Sequence, residues 1–456
     1  MRKSLIVTIL LLVLAAGSLY YAHDLVDERK DKATIEETVL YGDKSVADGI
    51  TADIRTHCDY RLFWDTRYTV GENPEISTDF TFSQTKIYTS RTISYHGIYF
   101  DSTFGDYGLS TTGSIDMADQ SALAKDVASR TEPGEERTER VYIKDYFDFY
   151  PIIVNFDTPF IGFAVNEETL AIFADYFRIP VHPEHRVEIS IEKDSAGKIF
   201  SIGTSTIKDG SVDLKAEGVV TDDSCFFTLS FRTEDGKLLD TSHIPGGYGI
   251  YYFPLHNEDG NDGILTADEL QMVFRIDSER AEVVSLQTNA QKNRLLLVTI
   301  ENGAYMLTVI DAETMKQLQK LEILKAVEGS VFRNLYIYDD FIVPAVNDGR
   351  FALLAPDGSG NYEVRFTAQF NEYEELGYIF SNEVSMDYNG EELAVSAFQD
   401  GWNASRKNNS FYLAIYDRTG LTYVGNYEHS LDKSFADNVP ACIPVNKDPL
   451  IVTWSD

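Results

Sequence analysis

Short apolar segments separated by turns that open with aspartate recur through most of this sequence, and they constrain its fold more than any other feature. The segments are rich in Val, Ile, Tyr, Phe and Thr, which favour extended backbone. The clearest are Arg186–Glu192, Cys225–Arg232, Arg294–Ile300 and Phe411–Tyr416. An aspartate opens such turns well because its carboxylate accepts hydrogen bonds from its own downstream backbone. The pattern therefore predicts a mainly β protein.

The turns recur at a spacing that indicates a structural repeat. The last interval between them contains an insertion, Gln399–Ser410, which brings the underlying spacing near 48 residues. A period of about 40–48 residues with four strands per unit is what a β-propeller blade requires, because one blade cannot bury its faces alone but a ring of blades can. The aspartates that open the turns are Asp194, Asp235, Asp277, Asp311, Asp357 and Asp417, at spacings of 41, 42, 34, 46 and 60 residues.

Through these turns, in which an aspartate follows one strand and precedes the next, residues 186–430 resemble the broad YVTN/quinoprotein-like and WD40-like group of β-propellers. The resemblance is one of architecture. Residues 186–430 lack the Gly-His and Trp-Asp signatures of WD40 repeats, and the tryptophans of the chain, Trp64, Trp402 and Trp454, are not periodic. The alternative architecture is a pair of β-sandwich domains.

The length of the chain predicts the number of blades. At about 45 residues per blade, we expect six to eight four-stranded blades, with the C-terminal strand Leu450–Trp454 closing the ring against an N-terminal segment such as Arg67–Glu72. Helical signals are few. Ser121–Ser129 is one, and Asn166–Phe177 is another, which Pro180 terminates.

The N-terminus carries the signal of a membrane span. An uncharged run of 19 residues, Ser4–Ala22, follows Arg2 and Lys3. At ~1.5 Å rise per residue, a helix of this length nearly crosses the ~30 Å hydrocarbon layer. The basic residues favour the cytoplasmic side, and Tyr20 and Tyr21 favour the opposite interface. We therefore predict a single-pass signal anchor in the cell membrane, with the bulk of the chain extracytoplasmic.

This prediction divides the chain into four parts. Residues 1–3 form a cytoplasmic basic end, 4–22 the transmembrane anchor, 23–48 a juxtamembrane segment, and 49–456 an extracytoplasmic β-propeller-like domain. The alternative is a signal peptide that is cleaved after the small residues near Gly17, which would yield a secreted protein. The continuation through Leu19, Tyr20 and Tyr21 favours retention of the segment.

The charge balance excludes one class of partner. The chain contains 39 Lys and Arg against 73 Asp and Glu, a formal net charge of −34. Such a charge repels nucleic-acid phosphates, so we predict no nucleic-acid partner, and it steers cationic partners toward the protein. Three cysteines in the whole chain are too few for a disulfide framework.

The segment His256–Leu270 resembles an EF-hand or dockerin calcium loop. Its oxygen ligands would be Asp259, Asn261, Asp262 and Glu269, which match the preference of calcium for several carboxylate and amide oxygens. The ladder needs one residue more than the EF-hand spacing, and the flanking sequences predict strands where an EF-hand has helices. The competing interpretation is an acidic loop between two strands. Any calcium bound here would be structural, and we predict no other cofactor.

Two further motifs are weighed against structural roles. His182 and His185 offer two imidazoles to zinc, but Pro183 prevents a helix from placing them on one face, which favours a surface turn.

The segment Val141–Phe160 is crowded with aromatic and acidic side chains. Its carboxylates Asp145 and Asp148 would be the acid and base of a glycosidase, with Tyr142, Tyr146, Phe149 and Tyr150 as sugar-stacking rings; the alternative is the core of a strand pair.

Two functions therefore remain open from the sequence. The first is a membrane-anchored binding module at the cell surface that recognises a protein or glycan ligand, with Trp402 on the insertion as a ligand contact. The second is a carbohydrate-active hydrolase that uses paired carboxylates in the propeller funnel, because the propeller fold hosts both binding proteins and enzymes.

Overall fold

The computed structural model describes most of the chain. The described residues are 2–58, 60–86, 97–101, 122–150, 153–157, 167–207, 212–221, 224–233, 241–254, 268–277, 280–373, 384–398, 410–430, 443–444 and 450–455. They form two compact units. Unit 1 comprises Met1–Ile93, Gly329–Tyr336 and Asp340–Asp456, and unit 2 comprises Ser94–Glu328 and Ile337–Asp339.

Three α-helices lie in the described residues: α1 (Arg2–Lys30), α2 (Ala122–Arg130) and α3 (Glu167–Phe177). The two helices predicted from periodicity are confirmed within about one residue at each end. Helix α1 contains a stretch, Ile6–Glu28, that is long and apolar enough to cross a membrane, and residues 6–22 of it are exposed.

Strands dominate the rest of the described chain, as predicted. The first four are β1 (Ile35–Gly42), β2 (Ile50–Cys58), β3 (Leu62–Thr69) and β4 (Glu75–Phe82). Those that follow are β5 (Gly97–Asp101), β6 (Glu136–Tyr142), β7 (Ile153–Asp157), β8 (Arg186–Lys193), β9 (Ile199–Thr206), β10 (Val212–Val220), β11 (Ser224–Thr233), β12 (Gly249–Pro254), β13 (Gln271–Arg275), β14 (Glu282–Thr288), β15 (Arg294–Glu301), β16 (Ala304–Asp311) and β17 (Gln317–Lys325). The last ones are β18 (Phe332–Ile337), β19 (Ile342–Val346), β20 (Arg350–Pro356), β21 (Tyr362–Gln369), β22 (Ser385–Tyr388), β23 (Leu393–Phe398), β24 (Ser410–Asp417), β25 (Gly420–His429), β26 (Ile443–Pro444) and β27 (Leu450–Trp454).

Four sheets are built from four consecutive strands each. They are sheet I (β10–β13), sheet II (β14–β17), sheet III (β18–β21) and sheet IV (β22–β25, with β1 added beside β25). Consecutive strands are neighbours in every case, which is the meander of a propeller blade and not the Greek-key order of a sandwich. The mainly β, blade-type architecture is therefore confirmed, and the number of blades stays a prediction.

Segments from both ends of the chain share sheets within unit 1. In sheet V, which contains β2, β3 and β4, strand β27 pairs with β2, so that Leu450 lies opposite Ile54. The predicted partner Arg67–Glu72 instead begins on β3, the next strand of that sheet. Strand β1 lies inside the predicted juxtamembrane segment 23–48 and pairs with β25, so the sheets begin before residue 49.

The aspartate turns close through the local hydrogen bonds that the sequence predicts. The Asp194 carboxylate accepts from the backbone N–H of Ala196 and Lys198, at 2.9 and 2.8 Å. Asp357 accepts from Ser359 and Asn361, at 2.7 and 3.0 Å. Similar bonds to downstream N–H groups occur at Asp311 and Asp417.

The turns are not all equivalent in the repeat, however. Asp311, Asp357 and Asp417 follow the third strands of sheets II, III and IV, so they occupy the same position in three blades. Asp277 instead lies in the connection between sheets I and II, where its carbonyl oxygen accepts from Ala281 at 2.9 Å. Asp277 therefore does not mark the same position in the repeat as Asp311, Asp357 and Asp417. Asp235 lies outside the described residues.

Each unit has its own apolar core. In unit 1, side chains of sheet IV such as Phe411 and Tyr427 pack with Ile50 and Val452 of sheet V. In unit 2, Phe173 and other residues of α3 pack on one face of sheet I, while sheet II packs on the other. The apolar strand segments seen in the sequence are therefore buried between layers.

A buried histidine in unit 1 gives the stability of the fold a defined pH dependence. His429 of β25 is buried, and its Nε2 lies 2.9 Å from the Thr66 hydroxyl of β3. Burial lowers the pKa of His429 to about 4. The unfolded chain, with a histidine pKa of ~6.5, therefore binds more protons than the folded chain between these pH values. Stability that is present above pH ~6.5 is lost as the pH falls toward 4.

We expect His429→Gln to remove this component, because an amide also hydrogen-bonds Thr66 but does not titrate. Between pH 7 and pH 4, the wild type should lose about 2–3 kcal/mol more unfolding free energy than the variant. Urea unfolding at both pH values measures the difference. Parallel losses in the two proteins would show that His429 is not the titrating group.

Candidate functional site

A group of polar side chains interrupts the apolar packing between sheets I and II. We call it the polar cluster, and its members are Lys215, Glu217, Ser230, Arg232, Tyr248 and Glu282. The two sheets belong to unit 2, and their first strands, β10 and β14, lie in contact. The polar cluster is therefore built where the first strands of two neighbouring blades meet.

Strand periodicity places these side chains on one face of sheet I. Lys215 and Glu217 are two residues apart on β10, so their side chains point the same way. The antiparallel register sets Ser230 of β11 opposite Lys215, which puts Ser230 and Arg232 on that face as well. Farther along the same face, Val219 packs with apolar residues of sheet II. The face is thus apolar at one end and polar at the other.

Ion pairs cross from sheet I to sheet II. The Glu282 carboxylate, at the first residue of β14, lies 3.7 Å from Lys215 Nζ and 3.5 Å from an Arg232 guanidinium nitrogen. The side chains of these three residues keep 39, 41 and 22% of their exposure. Partly exposed pairs at these distances add little stability, and they leave charged groups of both signs within reach of a ligand.

Burial changes the acidity of two groups in the polar cluster. It raises the pKa of the Glu217 carboxyl to about 7, an effect that the nearby Lys215 charge opposes. It also raises the pKa of Tyr248 to about 12, where Arg232 and a hydrogen bond with Ser230 act in the opposite direction. At neutral pH, therefore, Glu217 is poised between acid and carboxylate, beside a tyrosine hydroxyl that stays protonated.

This arrangement offers both hydrogen-bond donors and acceptors at one place. A carboxyl group with a pKa near 7 donates or accepts a proton readily at that pH. A guanidinium and a hydroxyl add fixed donors, and Glu282 adds an acceptor. Chemically, the polar cluster can bind a hydroxyl-rich or cationic ligand, and Glu217 can act as a general acid.

The residues predicted for calcium lie mostly outside the described structure. Asp259, Asn261 and Asp262 are not described, and Glu269 lies in the turn before β13. The flanking segments are strands, as expected, and β12 pairs with β13, so this loop joins the third and fourth strands of sheet I. Across the described part of the chain no group of three or more metal-ligating side chains occurs. The calcium loop stays a prediction, and so does the role of Trp402, which is not described either.

The two histidines of the predicted zinc alternative serve a local turn instead. His185 is buried and its Nδ1 lies 2.9 Å from the Tyr150 hydroxyl, while the backbone N–H of His182 donates to the same oxygen at 3.0 Å. The N–H of His185 donates to the His182 carbonyl at 3.0 Å. These contacts agree with the surface turn favoured by the sequence.

One carboxylate of the predicted glycosidase pair, Asp148, has a cationic partner of its own. Asp148 is exposed and forms an ion pair with Lys144 at 2.9 Å. The Tyr146 hydroxyl donates to Asp126 of α2. Tyr150 is a core residue, whereas Phe149 is about half exposed. Tyr150 is therefore part of the core, but β6 and β7 belong to different sheets, so the segment is not the core of one strand pair.

The polar cluster was missed in the sequence because its signal is weak. Strand β10 reads VDLKAEGVV, in which Lys215 and Glu217 look like the solvent-facing positions of an ordinary half-exposed strand. Their environment depends on Tyr248 and Glu282, which lie more than 30 residues away in the chain. The sequence shows that polar and apolar residues alternate along β10, but it does not show that sheet II packs on this face.

Comparisons with known proteins add little to this site. No family model matches the chain, and no curated protein matches it. Among solved structures, the β-propeller domain of Myceliophteria thermophila Cps50 (Swd1) is 12% identical, over 53% of this chain and 69% of that chain, with a TM-score of 0.24. Kluyveromyces lactis Hsv2p is 9% identical, over 53% and 81%, with a TM-score of 0.24.

A third solved structure, human WBSCR16, is 6% identical over 51% of this chain and 60% of that chain, with a TM-score of 0.22. Overall superposition on all three proteins is poor at these TM-scores. The blade architecture of this chain therefore rests on its own strand order, in which four sheets each contain four consecutive strands.

The raised pKa of Glu217 predicts a stability gain on substitution. Between pH ~4.5 and 7 the folded chain holds a proton that the unfolded chain has released, so stability falls as the pH rises through this window. Glu217→Gln keeps the shape and removes the charge. We expect the variant to be about 1–3 kcal/mol more stable than wild type at pH 8 and equal to it at pH 4.5.

Chemical denaturation at the two pH values tests this expectation. The matched control is Glu282→Gln, which removes the partner of Lys215 and Arg232 and should give no gain at pH 8. A Glu217→Gln variant whose stability differs from wild type by the same amount at both pH values would contradict the buried-carboxyl assignment.

Proposed function

We propose that this protein is a membrane-anchored interaction module, whose β-propeller-like domain lies on the extracytoplasmic side and binds a ligand at the polar cluster. The observation that carries the proposal is α1. It is a continuous apolar helix that leaves Ile6–Ala22 exposed, without protein cover, and is followed within a few residues by β1. An apolar surface of this length is stable in a bilayer and costly in water.

The proposed orientation of α1 across the membrane follows from the charges that flank its apolar run. Arg2 and Lys3 precede the apolar run, and acidic residues follow it at Asp24 and Asp27. Basic residues at the short N-terminal end favour its retention in the cytoplasm. The remaining chain, with its large negative charge, would then project outward and attract basic ligands or partners.

The polar cluster supports the ligand-binding part of the proposal. It presents a guanidinium, a carboxylate, a carboxyl group and a tyrosine hydroxyl within one partly exposed region between two blades. Such convergent polar groups on a mostly apolar wall are typical of small-ligand and glycan sites. Structural calcium at Asp259–Glu269 and a contact through Trp402 remain parts of the same proposal.

The anchor is tested by the behaviour of the full chain in cells. We expect the protein to stay in the membrane fraction after alkaline carbonate extraction, with an intact mass that includes Arg2. Leu10→Arg combined with Leu12→Arg should release it, because each arginine at the centre of the span costs about 3 kcal/mol. The matched control, Leu10→Ile with Leu12→Ile, should remain bound. A mature mass that begins after Gly17 would replace the anchor with a cleaved signal.

A carbohydrate-active hydrolase is the second candidate, and one observation favours it. Glu217 has a pKa near 7 and shares the polar cluster with a second carboxylate, Glu282, which is paired with cations. A glycosidase requires one protonated and one ionised carboxyl group at its site.

A panel of cell-wall fragments and of plant and mucin oligosaccharides separates the two functions. For the binding module, a ligand should raise the melting temperature of wild type, and Arg232→Ala should abolish the shift. For the hydrolase, wild type should also release reducing sugar with an optimum below pH 7, and Glu217→Gln should reduce the rate at least 100-fold. A melting temperature that no member of the panel changes would contradict a glycan ligand for both.

A further inference from the structure

The last two turns of α1 are packed on the protein instead of forming a free stalk. The ring of His23 meets Phe80 of β4 edge-on, with 5.5 Å between ring centroids. Val26 packs on the core formed by Trp64 and Ala33, which Leu62 and Phe80 complete. Trp64 of β3 is fully buried there. The anchor helix and sheet V therefore share one apolar junction within unit 1.

These contacts show which strand of sheet V lies closest to the start of the junction. His23 lies against β4, whereas Ala33, which follows the end of α1, lies against Trp64 of β3. His23 directly follows the uncharged run, so the contact closest to the predicted span is made with β4. Strand β4 is therefore the described strand of sheet V that the chain meets first after the span.

The helical rise gives the distance of these contacts from the end of the predicted span. His23 directly follows Ala22, the last residue of the uncharged run, and Val26 lies about 6 Å beyond Ala22 along the axis at ~1.5 Å per residue. The headgroup layer on each side of the hydrocarbon core is roughly 5–8 Å thick. Phe80, which contacts His23, therefore lies at the level of the headgroups.

Strand β4 presents an exposed aromatic residue near this level. Phe82 lies two residues beyond Phe80, so it shares the same face of the strand, and its side chain is 63% exposed. Two residues of a strand span about 7 Å, so Phe82 lies within about one headgroup layer of Phe80. Aromatic rings are favoured at the interface between hydrocarbon and water.

We propose that the last turns of α1 brace sheet V against the membrane that α1 spans, and that β4 lies along the lipid headgroups with Phe82 in contact with them. The occupant of this surface is the bilayer itself, because α1 leads directly into it. The inference rests on the proposed membrane anchor. It also explains how the free edge of β4, which belongs to the outermost described strand of sheet V, is kept from pairing with other chains.

The test uses the full chain reconstituted in phosphatidylcholine vesicles that carry a spin-label quencher on the headgroup. Trp402 and Trp454 are first replaced by Phe, and a tryptophan probe is then placed at position 82 (Phe82→Trp) or, as the matched control, at position 451 (Ile451→Trp). Ile451 is about half exposed and belongs to β27, which pairs with β2 on the other side of the same sheet. At ~4.8 Å per strand, it lies about 14 Å farther from β4.

We expect the headgroup label to quench the probe at position 82 at least threefold more strongly than the probe at position 451. Equal quenching of the two probes would overturn the proposal. Adding Val26→Asp should weaken the junction, reduce quenching at position 82, and shift the emission of Trp64 to longer wavelength while the protein remains bound to vesicles. Quenching at position 82 that is unaffected by Val26→Asp would overturn the role of the brace.

Flotation of the vesicles separates this result from the anchor itself. A chain that fails to float with the vesicles has no anchor, and both the proposed function and the brace are then wrong. A chain that floats but shows no preferential quenching at position 82 is anchored on a flexible stalk, and only the brace is wrong.

Discussion

Sheet I is buried on both faces, and the rest of unit 2 depends on this constraint. On one face Phe227 packs with Phe173 of α3, and on the other Phe226 packs with Val283 of sheet II. A sheet with two apolar faces has no stable form alone in water, because each exposed face would cost about 25 cal/mol for every Å² of apolar surface. Sheet II covers one face of sheet I, and helix α3 covers the other.

The polar cluster is an exception to the apolar packing of sheet I. A carboxyl group that is buried next to the apolar end of this face loses hydration, and the cost appears as the raised pKa of Glu217. Arg232, Lys215 and Glu282 compensate one another at the exposed end of the same face. The ion pairs of Glu282 with Lys215 and Arg232 do not by themselves require a neighbouring carboxyl group with a pKa near 7. A carboxyl group held in that state is typical of sites that bind or transfer protons, which is why the polar cluster supports a ligand site.

The N-terminal end of the chain follows the same principle of covering apolar surface. In the proposed anchor, lipid would cover the exposed run of α1, while His23 and Val26 contact sheet V. A ligand site in unit 2 and a membrane junction in unit 1 would be carried by a single chain in which the same β repeats provide the framework.

The sequence by itself determined the features that arise from neighbouring residues. The strands, the turns at Asp311 and Asp357, and the apolar N-terminal helix were predictable because their hydrogen bonds and hydropathy are local. Tertiary structure alone decided the pairing of β27 with β2, the burial of Trp64 beneath α1 and the acidity of Glu217. Each of these depends on groups that are distant in the chain, and desolvation by such groups leaves no pattern in the order of the residues.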